Sequence, residues 1–491
     1  MSSSAATVSD TRPGIGAAAD VVVPSAAATA AIGSVSADEG EVDILGAPSG
    51  RQRERFIPIT RHALIDRLAR PQAWSPGEAQ DARRFFRYLD YWRQQTYTAE
   101  LMDLEPAYEP FSPDSDLLQT RQFTTMERAT LQKRVVGRLT RLLMQANYEV
   151  IDPKQVELII TRESHYGLDL HVDLDAFEEI MIYFRGASTR RGERRSLRHF
   201  MRKEEFDIPI FRRLFLLFKL KPAEKRIREL MVRDKISHAE AEKRVTKARA
   251  LIPKEVKDDF IYMKLFKNVP RSDIEMIFPN TQVRFRLMDK IKLGLTAGSG
   301  LGMGAVGAAG KIALIASNPV TAAGAVFGLG GVAFRQFMNF TNQRQRYMVI
   351  MAQNLYFHAL ADNSGVMIKL ANRAAEEDFK EEVLLYSVLA KERATRADLP
   401  AIDLAIEQYL HSSFGMDVNF DLADALERLM ADGLVVERAD GILETLRPRE
   451  AALHLDHKWD RLLDELPDPI AGEGHEDLTP IGADEDEDSA R

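Results

Sequence analysis

One short segment of the 491-residue chain alternates side chains that can bind a divalent metal ion with apolar ones. A period of two would place His171, Asp173 and Asp175 on the same face of a β-strand, and imidazole and carboxylate groups are common metal ligands. Successive side chains on one strand face rarely converge on a single ion, however. The favoured interpretation is therefore the solvated face of an amphipathic strand or loop, and we predict no metal site.

Carboxylates recur at helical spacing further along the chain, between Glu376 and Glu382. Glu377 and Glu381 are four residues apart, so that they share one face of a helix. A carboxylate metal site in a helical bundle would need a matching Glu and a Glu-x-x-His motif on partner helices, and we find no such partner. We therefore predict a solvated helix face, no catalytic residues and no cofactor.

Two glycine-rich apolar arms, Leu293–Ala316 and Val320–Phe334, meet at Pro319. The first arm has the roughly 20 residues that a membrane-spanning helix needs, and glycines spaced four apart let helix backbones approach closely in lipid. We therefore predict a transmembrane helical hairpin over residues 290–340, with a buried hairpin of a soluble protein as the alternative. The residues expected to pack the hairpin are Gly294, Gly298, Gly300, Gly302, Gly304, Pro319, Gly324, Gly328 and Gly331.

These glycines do not match the phosphate-binding motifs. The Walker motif requires Ser or Thr after its Lys, but Ile312 follows Lys311. A dinucleotide-binding fingerprint that starts at Gly298 has Met303 in place of its third glycine. We therefore expect no nucleotide cofactor, and the sequence identifies no small-molecule substrate.

Charge is unevenly distributed along a chain whose formal net charge is −8. Residues 1–50 are rich in Ala, Ser and Gly, and residues 467–491 are strongly acidic, so we predict a disordered tail at each end and a mildly basic body between them. The first 50 residues lack the basic start and continuous apolar run of a signal peptide, so the hairpin would direct membrane insertion itself. Cysteine is absent, which excludes disulfides and thiolate chemistry.

Arginines cluster between residues 190 and 198. A basic surface joined to a membrane hairpin would lie near anionic lipid headgroups, where each cation contributes about 1 kcal/mol. The residues predicted to contact anionic lipid are Arg190, Arg191, Arg194, Arg195 and Arg198. An ordinary solvated loop is the alternative, and RNA is disfavoured because no aromatic platform adjoins the cluster.

Hydrophobic periodicity divides the body of the chain into regions of different secondary structure. Residues 51–148 have a helical period, residues 149–285 predict a small α+β domain, and residues 341–382 predict a helical connector. The predicted strands are Val156–Thr161, Ile180–Arg185, Phe211–Leu220 and Phe260–Asn268. An amphipathic helix is the alternative for Phe211–Leu220, and Pro222–Ala250 predicts a charged helix or helix pair. The fold class we predict is α+β and mostly helical.

The pattern at 383–466 predicts a winged-helix-like domain, in which three helices precede two short strands joined at the Ala439-Asp440-Gly441 turn. A closing helix is expected to carry Trp459 into the core. The predicted recognition helix carries Asp421, Asp424 and Glu427 against a single Arg428. DNA affinity depends on cations near phosphates, so we expect this domain to contact protein rather than nucleic acid.

A motif just before the first apolar arm resembles a known family. It runs from Tyr262 to Asn280 as YMKLFKNVPRSDIEMIFPN and continues to Leu293, and further matches occur at Ile182–Gly186, Asn354–Phe357 and Glu376–Tyr386. The chain resembles the domain of unknown function 3754 family, to which transmembrane protein 143-like proteins are similar, over most of 55–460. The resemblance implies two membrane segments and no established activity, and it supplies no catalytic residues.

These features together predict a membrane-anchored, non-enzymatic scaffold or adaptor. A glycine-zipper oligomer that remodels or perforates membranes is the alternative, and an uncharacterised enzyme is the third possibility. The expected partners are the lipid bilayer and a protein, or a second copy of the chain. Cations flank the hairpin at both ends, among them Lys292 and Arg335, which predicts soluble regions on the cytoplasmic face. The membrane we expect is a bacterial inner membrane.

Overall fold

The computed structural model describes residues 53–464 except for 117–121, most of 153–168, 196–202, 251 and 285–356. The described part is mixed α+β and mostly helical, which confirms the predicted class at that level. Contacts divide the chain into two compact units. Of the described residues, the first unit holds 58–88 and 380–458, and the second holds the rest. The predicted tails at 1–50 and 467–491 and the predicted hairpin lie outside the described residues.

Helices and strands alternate in blocks along the described chain. The helices are α1 Arg61–Leu68, α2 Glu78–Tyr108, α3 Thr125–Gln145, α4 Ala223–Asp234, α5 His238–Arg249, α6 Asn363–Leu389, α7 Leu399–Phe414, α8 Leu422–Ala431 and α9 Pro448–Asp460. The strands are β1 Glu149–Val150, β2 Asp169–His171, β3 Phe177–Arg195, β4 Lys203–Leu220, β5 Tyr262–Pro270, β6 Gln282–Arg284, β7 Ala359–Asp362, β8 Ala394–Thr395, β9 Val435–Glu437 and β10 Ile442–Thr445. Helices α2 and α6 contribute residues to both units.

A five-stranded antiparallel sheet with the order β1-β3-β4-β5-β7 forms the centre of the second unit. Neighbouring residues of β4 enter different cores. Phe215 and Leu217 pack in a core with residues of α2, α3 and α6, whereas Leu214 and Leu216 pack in another with the segment 274–278. Because both faces of the sheet are buried there, residues 214–218 of β4 form a continuous apolar run rather than an alternating pattern.

Most of the strands predicted for this unit are confirmed. Ile180–Arg185 lies in β3, Phe211–Leu220 in β4, and most of Phe260–Asn268 in β5, while α4 and α5 form the predicted helix pair. The strand predicted at Val156–Thr161 is wrong where the chain is described, because Val156 and Ile159 are helical. Their spacing of three places both on one helix face, and both are buried in the core that contains Leu216.

The helical connector predicted at 341–382 is wrong at residues 359–362, which form strand β7. This strand pairs antiparallel with β5, from Lys264↔Asp362 to Phe266↔Ala359. Asn363 then starts α6 with a φ of 44°, and its Oδ1 accepts the Met263 N–H at 3.0 Å. A strand of four residues is too short for periodicity to distinguish it from a helix, which explains the error.

The first unit has its own small sheet. After α6 come β8, α7, α8, β9, β10 and α9, and the three strands pair antiparallel in the order β8-β10-β9. Gly433, just after α8, has a φ of 72°, and Gly441, between β9 and β10, has a φ of 79°. These left-handed conformations favour glycine, and they let the chain reverse at both points.

Helix α9 closes the described chain with a short apolar face. Its buried residues include Ala451, Ala452 and Leu455. Trp459 was predicted to enter a core, but it is 47% exposed. That prediction is wrong because Trp459 lies one residue before the end of the helix, four residues beyond the last buried apolar position.

Candidate functional site

Helix α6 buries most of the charged residues in its central turns. Glu377, Asp378, Lys380, Glu381 and Glu382 are each at most 3% exposed. The solvated helix face predicted for these carboxylates is therefore wrong. A buried carboxylate needs a partner, because an isolated charge is costly to remove from water. Distant arginines supply that partner to Glu377, Glu381 and Glu382.

Glu377 has a donor on each carboxylate oxygen. Its Oε1 accepts a hydrogen bond from Arg185 Nη2 at 2.7 Å, and its Oε2 accepts the Ile57 N–H at 2.9 Å. Arg185 belongs to β3, and its guanidinium also lies over the Phe56 ring, 4.1 Å from the centroid. A desolvated cation over an aromatic face adds attraction. The pair therefore ties α6 to β3 and to the chain at residues 56–57.

Burial changes the acidity of the groups around this pair. Burial lowers the pKa of the Arg185 guanidinium, although the negative charge of Glu377 acts to raise that pKa. It raises the pKa of the Tyr148 phenol, against the influence of Arg185. Arginine nevertheless keeps its proton in proteins. The cluster is therefore suited to holding α6 in place rather than to proton transfer.

In the first unit, Arg428 pairs with two buried carboxylates of α6. From α8, its Nη2 donates to Glu381 Oε2 at 2.7 Å and its Nε to Glu382 Oε1 at 2.8 Å. Its Nη1 donates to Asp424 on the same helix. Arg428 is the sole basic residue in the sequence of α8. The single cation of this helix is therefore directed toward α6 and neutralised there.

An open cavity of about 760 Å³ lies along α7 and α8 in the first unit. We call it the α7–α8 groove. Its apolar lining residues are Leu399, Pro400, Phe420, Leu422, Ala423, Leu426 and Met430, and its charged ones are Arg396, Asp403, Asp421 and Glu427. Glu427 is exposed, whereas Asp421 caps α8 by accepting the Asp424 N–H at 3.2 Å. The groove thus combines an apolar wall with a mainly acidic edge.

The segment that alternates potential metal ligands does not form one strand face. Strand β2 ends at His171, and a short 3-10 helix starts at Leu174. Both Asp173 oxygens accept from Arg226 Nη2 at 3.1 Å, and Asp175 accepts from Arg233 at 2.6 Å. These carboxylates are therefore engaged with guanidinium groups.

Sequence reasoning missed Arg185 and Arg428 as partners of α6. The high density of charged residues could have indicated that some of them are buried, since six of the seven residues from Glu376 to Glu382 are charged. Seven residues cover every face of a helix, which has 3.6 residues per turn. A helix with apolar residues on both sides of such a run must bury part of its charge. The identity of the partners, by contrast, has no local sequence signal.

A family model described as Protein of unknown function (DUF3754) matches residues 177–365. We call residues 177–365 the DUF3754 stretch. It contains β3, β4, β5 and β7, whereas the α7–α8 groove lies beyond it. The match is shorter than the span of 55–460 suggested by the motifs, and the likeness to transmembrane protein 143-like proteins stays a prediction. No solved structure matches the chain.

The DUF3754 stretch includes the arginines predicted to contact anionic lipid. Arg190 and Arg191 are exposed on β3, Arg194 and Arg195 follow on the same strand, and Arg198 lies outside the described residues. They lie on the part of the β3–β4 hairpin that extends past the end of β5. The alternative of an ordinary loop is therefore wrong for the four described arginines, which belong to a strand.

Strand β4 has acidic residues at the backbone positions that pair with two of these arginines. In the backbone register, Asp207 lies opposite Arg191 and Glu204 opposite Arg194. Contact with anionic lipid stays a prediction.

The DUF3754 stretch also contains the predicted membrane hairpin, residues 290–340. All of its predicted packing residues lie outside the described part of the chain, namely Gly294, Gly298, Gly300, Gly302, Gly304, Pro319, Gly324, Gly328 and Gly331. Among the residues that the structure does describe, no helix is long and apolar enough to cross a membrane. The hairpin therefore stays a prediction from the sequence.

Proposed function

We propose that the protein is a non-enzymatic adaptor that is anchored in a membrane by residues 290–340 and binds a protein segment in the α7–α8 groove. The observation that carries the proposal is the combination of an apolar wall and an acidic edge along one groove. Hydrophobic grooves bind the apolar face of an amphipathic helix in several families of proteins. The chemistry therefore fits a segment with apolar residues on one face and Lys or Arg beside them.

The order of elements in the first unit supports a winged-helix-like interpretation. A helix, a strand, two helices and two paired strands follow one another from α6 to β10. In DNA-binding relatives of helix–turn–helix type the second helix enters the major groove, and here the corresponding helix is α8. Its one arginine contacts Glu381 and Glu382, while Glu427 is exposed. A phosphate backbone would be repelled, which supports protein as the ligand.

Site-specific photocrosslinking in the full-length protein tests the proposal. A photoreactive residue is placed at Ala423, which is exposed in the groove, and in a matched variant at Ala431, which is exposed on α8 outside it. We expect one stoichiometric protein adduct from position 423, lost in a Glu427→Lys background, and no such adduct from position 431. An adduct of the chain with itself would favour the oligomer instead. No protein adduct from position 423 would refute the adaptor proposal.

A further inference from the structure

A second cavity lies in the sheet-containing unit, beside the helix pair α4 and α5. Its volume is about 260 Å³, and it is bounded by Ala176 just before β3, by Leu220 at the end of β4 and by both helices. Leu220, Leu230 and Val245 supply apolar wall. The cations that line it are Lys221, Arg226, Arg233, Arg244 and Arg249, and the carboxylates that line it are Asp173 and Asp234. We call this space the α4–α5 cavity.

Ion pairs hold the guanidinium groups around the cavity. Asp234 bridges two of them, with its Oδ1 2.9 Å from Arg233 Nε and its Oδ2 3.0 Å from Arg244 Nη1. Asp173 holds Arg226 through both carboxylate oxygens. An arginine fixed in this way loses little conformational entropy when it binds a ligand. The planar guanidinium group matches the oxygen geometry of phosphate.

The net charge of the residues around the cavity would not by itself attract an anion. Carboxylates outside the cavity also pair with its cations, among them Glu229 with Lys221 and Asp258 with Arg249. A ligand would therefore be held by directed hydrogen bonds more than by long-range attraction. This predicts selectivity for an anion of the right shape rather than for polyanions in general.

Asn280 adds an acceptor to this set of donors. It lines the cavity, is 4% exposed and donates from Nδ2 to the Asp173 carbonyl oxygen at 2.6 Å. Its Oδ1 is buried and has no hydrogen-bond partner among the described residues. A buried acceptor without a donor is costly, and each such group in a folded protein calls for an explanation. A ligand hydroxyl would satisfy it.

We propose that the α4–α5 cavity binds a small phosphorylated polyol, with the phosphate among the guanidinium groups and a hydroxyl donating to Asn280 Oδ1. The volume of about 260 Å³ lies just below the range of roughly 300–1,000 Å³ typical of ligand pockets. This size favours a single phosphorylated ring over a dinucleotide. The same chemistry occurs in soluble sugar or inositol phosphates and in the headgroups of phosphoinositide lipids. The inference does not depend on the adaptor proposal.

Isothermal titration of the full-length protein tests the site with four probes. These are inorganic phosphate, glucose 6-phosphate, inositol 1,4,5-trisphosphate, and vesicles of phosphatidylcholine with and without phosphatidylinositol 4-phosphate. Saturable binding of a soluble polyol phosphate would identify a free metabolite as the ligand. Binding confined to the phosphoinositide vesicles would identify a lipid headgroup.

Three variants assign the binding to the cavity. Arg244→Gln removes an exposed cavity cation and should weaken every bound phosphate probe at least about tenfold, as expected for a charge-assisted hydrogen bond. Asn280→Leu should weaken the polyol phosphates about fivefold and leave inorganic phosphate unchanged. Arg228→Gln, on the exposed face of α4 outside the cavity, is the matched control and should change nothing.

Two outcomes would overturn the proposal. One is the absence of saturable binding by any of the four probes, which would leave the cavity as an ion-pair network that joins α4 and α5 to the sheet. The other is an equal effect of Arg228→Gln and Arg244→Gln, which would show that binding follows surface charge. Arg244 is about half exposed, so its variant should fold even if Asn280→Leu does not.

Discussion

Arg185 Nη2 lies 2.7 Å from Glu377 Oε1, although 192 residues separate the two along the chain. Both side chains are buried, at 6% and 0% exposure. The contact joins β3 to α6. It can form only when the sheet that contains β3 and the helix α6 have packed together. A buried ion pair of this kind need not add net stability over apolar residues, but removing one partner leaves an uncompensated charge.

Glu377→Gln should destabilise the second unit by about 3 to 5 kcal/mol, because Arg185 then stays buried without a counter-charge. The measurement is urea unfolding of the full-length protein, followed by hydrogen exchange of the β3 and α6 amides so that the affected unit is identified. The double variant Arg185→Met, Glu377→Met should recover most of the loss. Asp103→Asn, which breaks an exposed pair with Arg138, is the control and should cost less than about 1 kcal/mol.

Gly186→Ala should destabilise more than the same change at Gly77. Both glycines have a positive φ, 73° and 93° respectively, so each substitution carries the roughly 1 to 2 kcal/mol of a left-handed conformation. At Gly186 a Cβ would also lie 2.7 Å from Phe56 Cε1, whereas at Gly77 nothing lies within 4 Å. The difference in free energy of unfolding between the two variants measures that clash. Equal losses would contradict the packing around Phe56.

Runs of apolar residues made the centre of the sheet predictable. The central parts of β3, β4 and β5 lie between two cores, so their sequences are apolar on both faces there. Pro222 follows the end of β4, whereas Pro209 lies within that strand. β7 was not predicted because four residues are too few to show the periodicity of a strand. Its partner β5 is also about 90 residues away in the chain. Pairing between strands this far apart leaves no signal in the local sequence.

The prediction that the charged residues of α6 are solvated follows a rule that holds for most protein surfaces but not for this helix. Asp and Glu are almost never fully buried unless they are paired, so a run of them predicts a solvated face. Glu377, Glu381 and Glu382 are the exception because Arg185 and Arg428 meet them in the interior. The α4–α5 cavity was equally hidden, since Asn280 and Arg226 come together only through the fold.

Stability should depend on pH through Glu178. Burial alone would raise the pKa of Glu178, but hydrogen bonds from Lys225 and Lys219 outweigh it and bring the pKa below the ordinary 4.5. The folded state therefore binds this proton less tightly than the unfolded state does. The stabilisation is present above about pH 4.5 and is lost as the pH falls through the folded pKa. Glu178→Gln should thus destabilise the protein at pH 7 and have a smaller effect at about pH 3.5.

Urea unfolding at the two pH values measures this difference. Lys225→Met removes the partner at 2.9 Å and should reduce the pH dependence of the Glu178→Gln effect. An effect of Glu178→Gln that grows as the pH falls would reverse the sign and contradict the paired carboxylate.

Membrane anchoring should depend on residues 290–340. The intact protein is expected to stay with the membrane fraction through a sodium carbonate wash, because an apolar arm of roughly 20 residues can span the bilayer. A variant that lacks 290–340 should be released. Reporters fused at residues 50 and 470 should both report the cytoplasmic side, since cations flank both ends of the segment. Release of the intact chain, or reporters on opposite sides, would contradict the hairpin.

The full-length protein should not bind duplex DNA in a salt-dependent manner at about 150 mM salt. DNA binding releases roughly 0.9 counterions for each phosphate that a cation neutralises, and the one cation of α8 is held by Glu381, Glu382 and Asp424. Fluorescence anisotropy with a labelled duplex over a salt series is the measurement. Tight, salt-sensitive binding would make a membrane-tethered regulator of DNA the better proposal.

Reversing one charge on α8 separates protein binding from DNA binding. Changing Asp421, Asp424 and Glu427 to Lys together would not be a clean test, because Asp421 caps the helix and Asp424 holds Arg428. Loss of a cap alone costs about 1 kcal/mol, so the triple variant would disturb the fold. Glu427→Lys changes an exposed residue of the groove and leaves those contacts in place. It should lower the yield of the adduct formed from position 423 by more than tenfold, so that the stoichiometric adduct is lost. Arg438→Gln, outside the groove on the turn after β9, should leave that adduct unchanged.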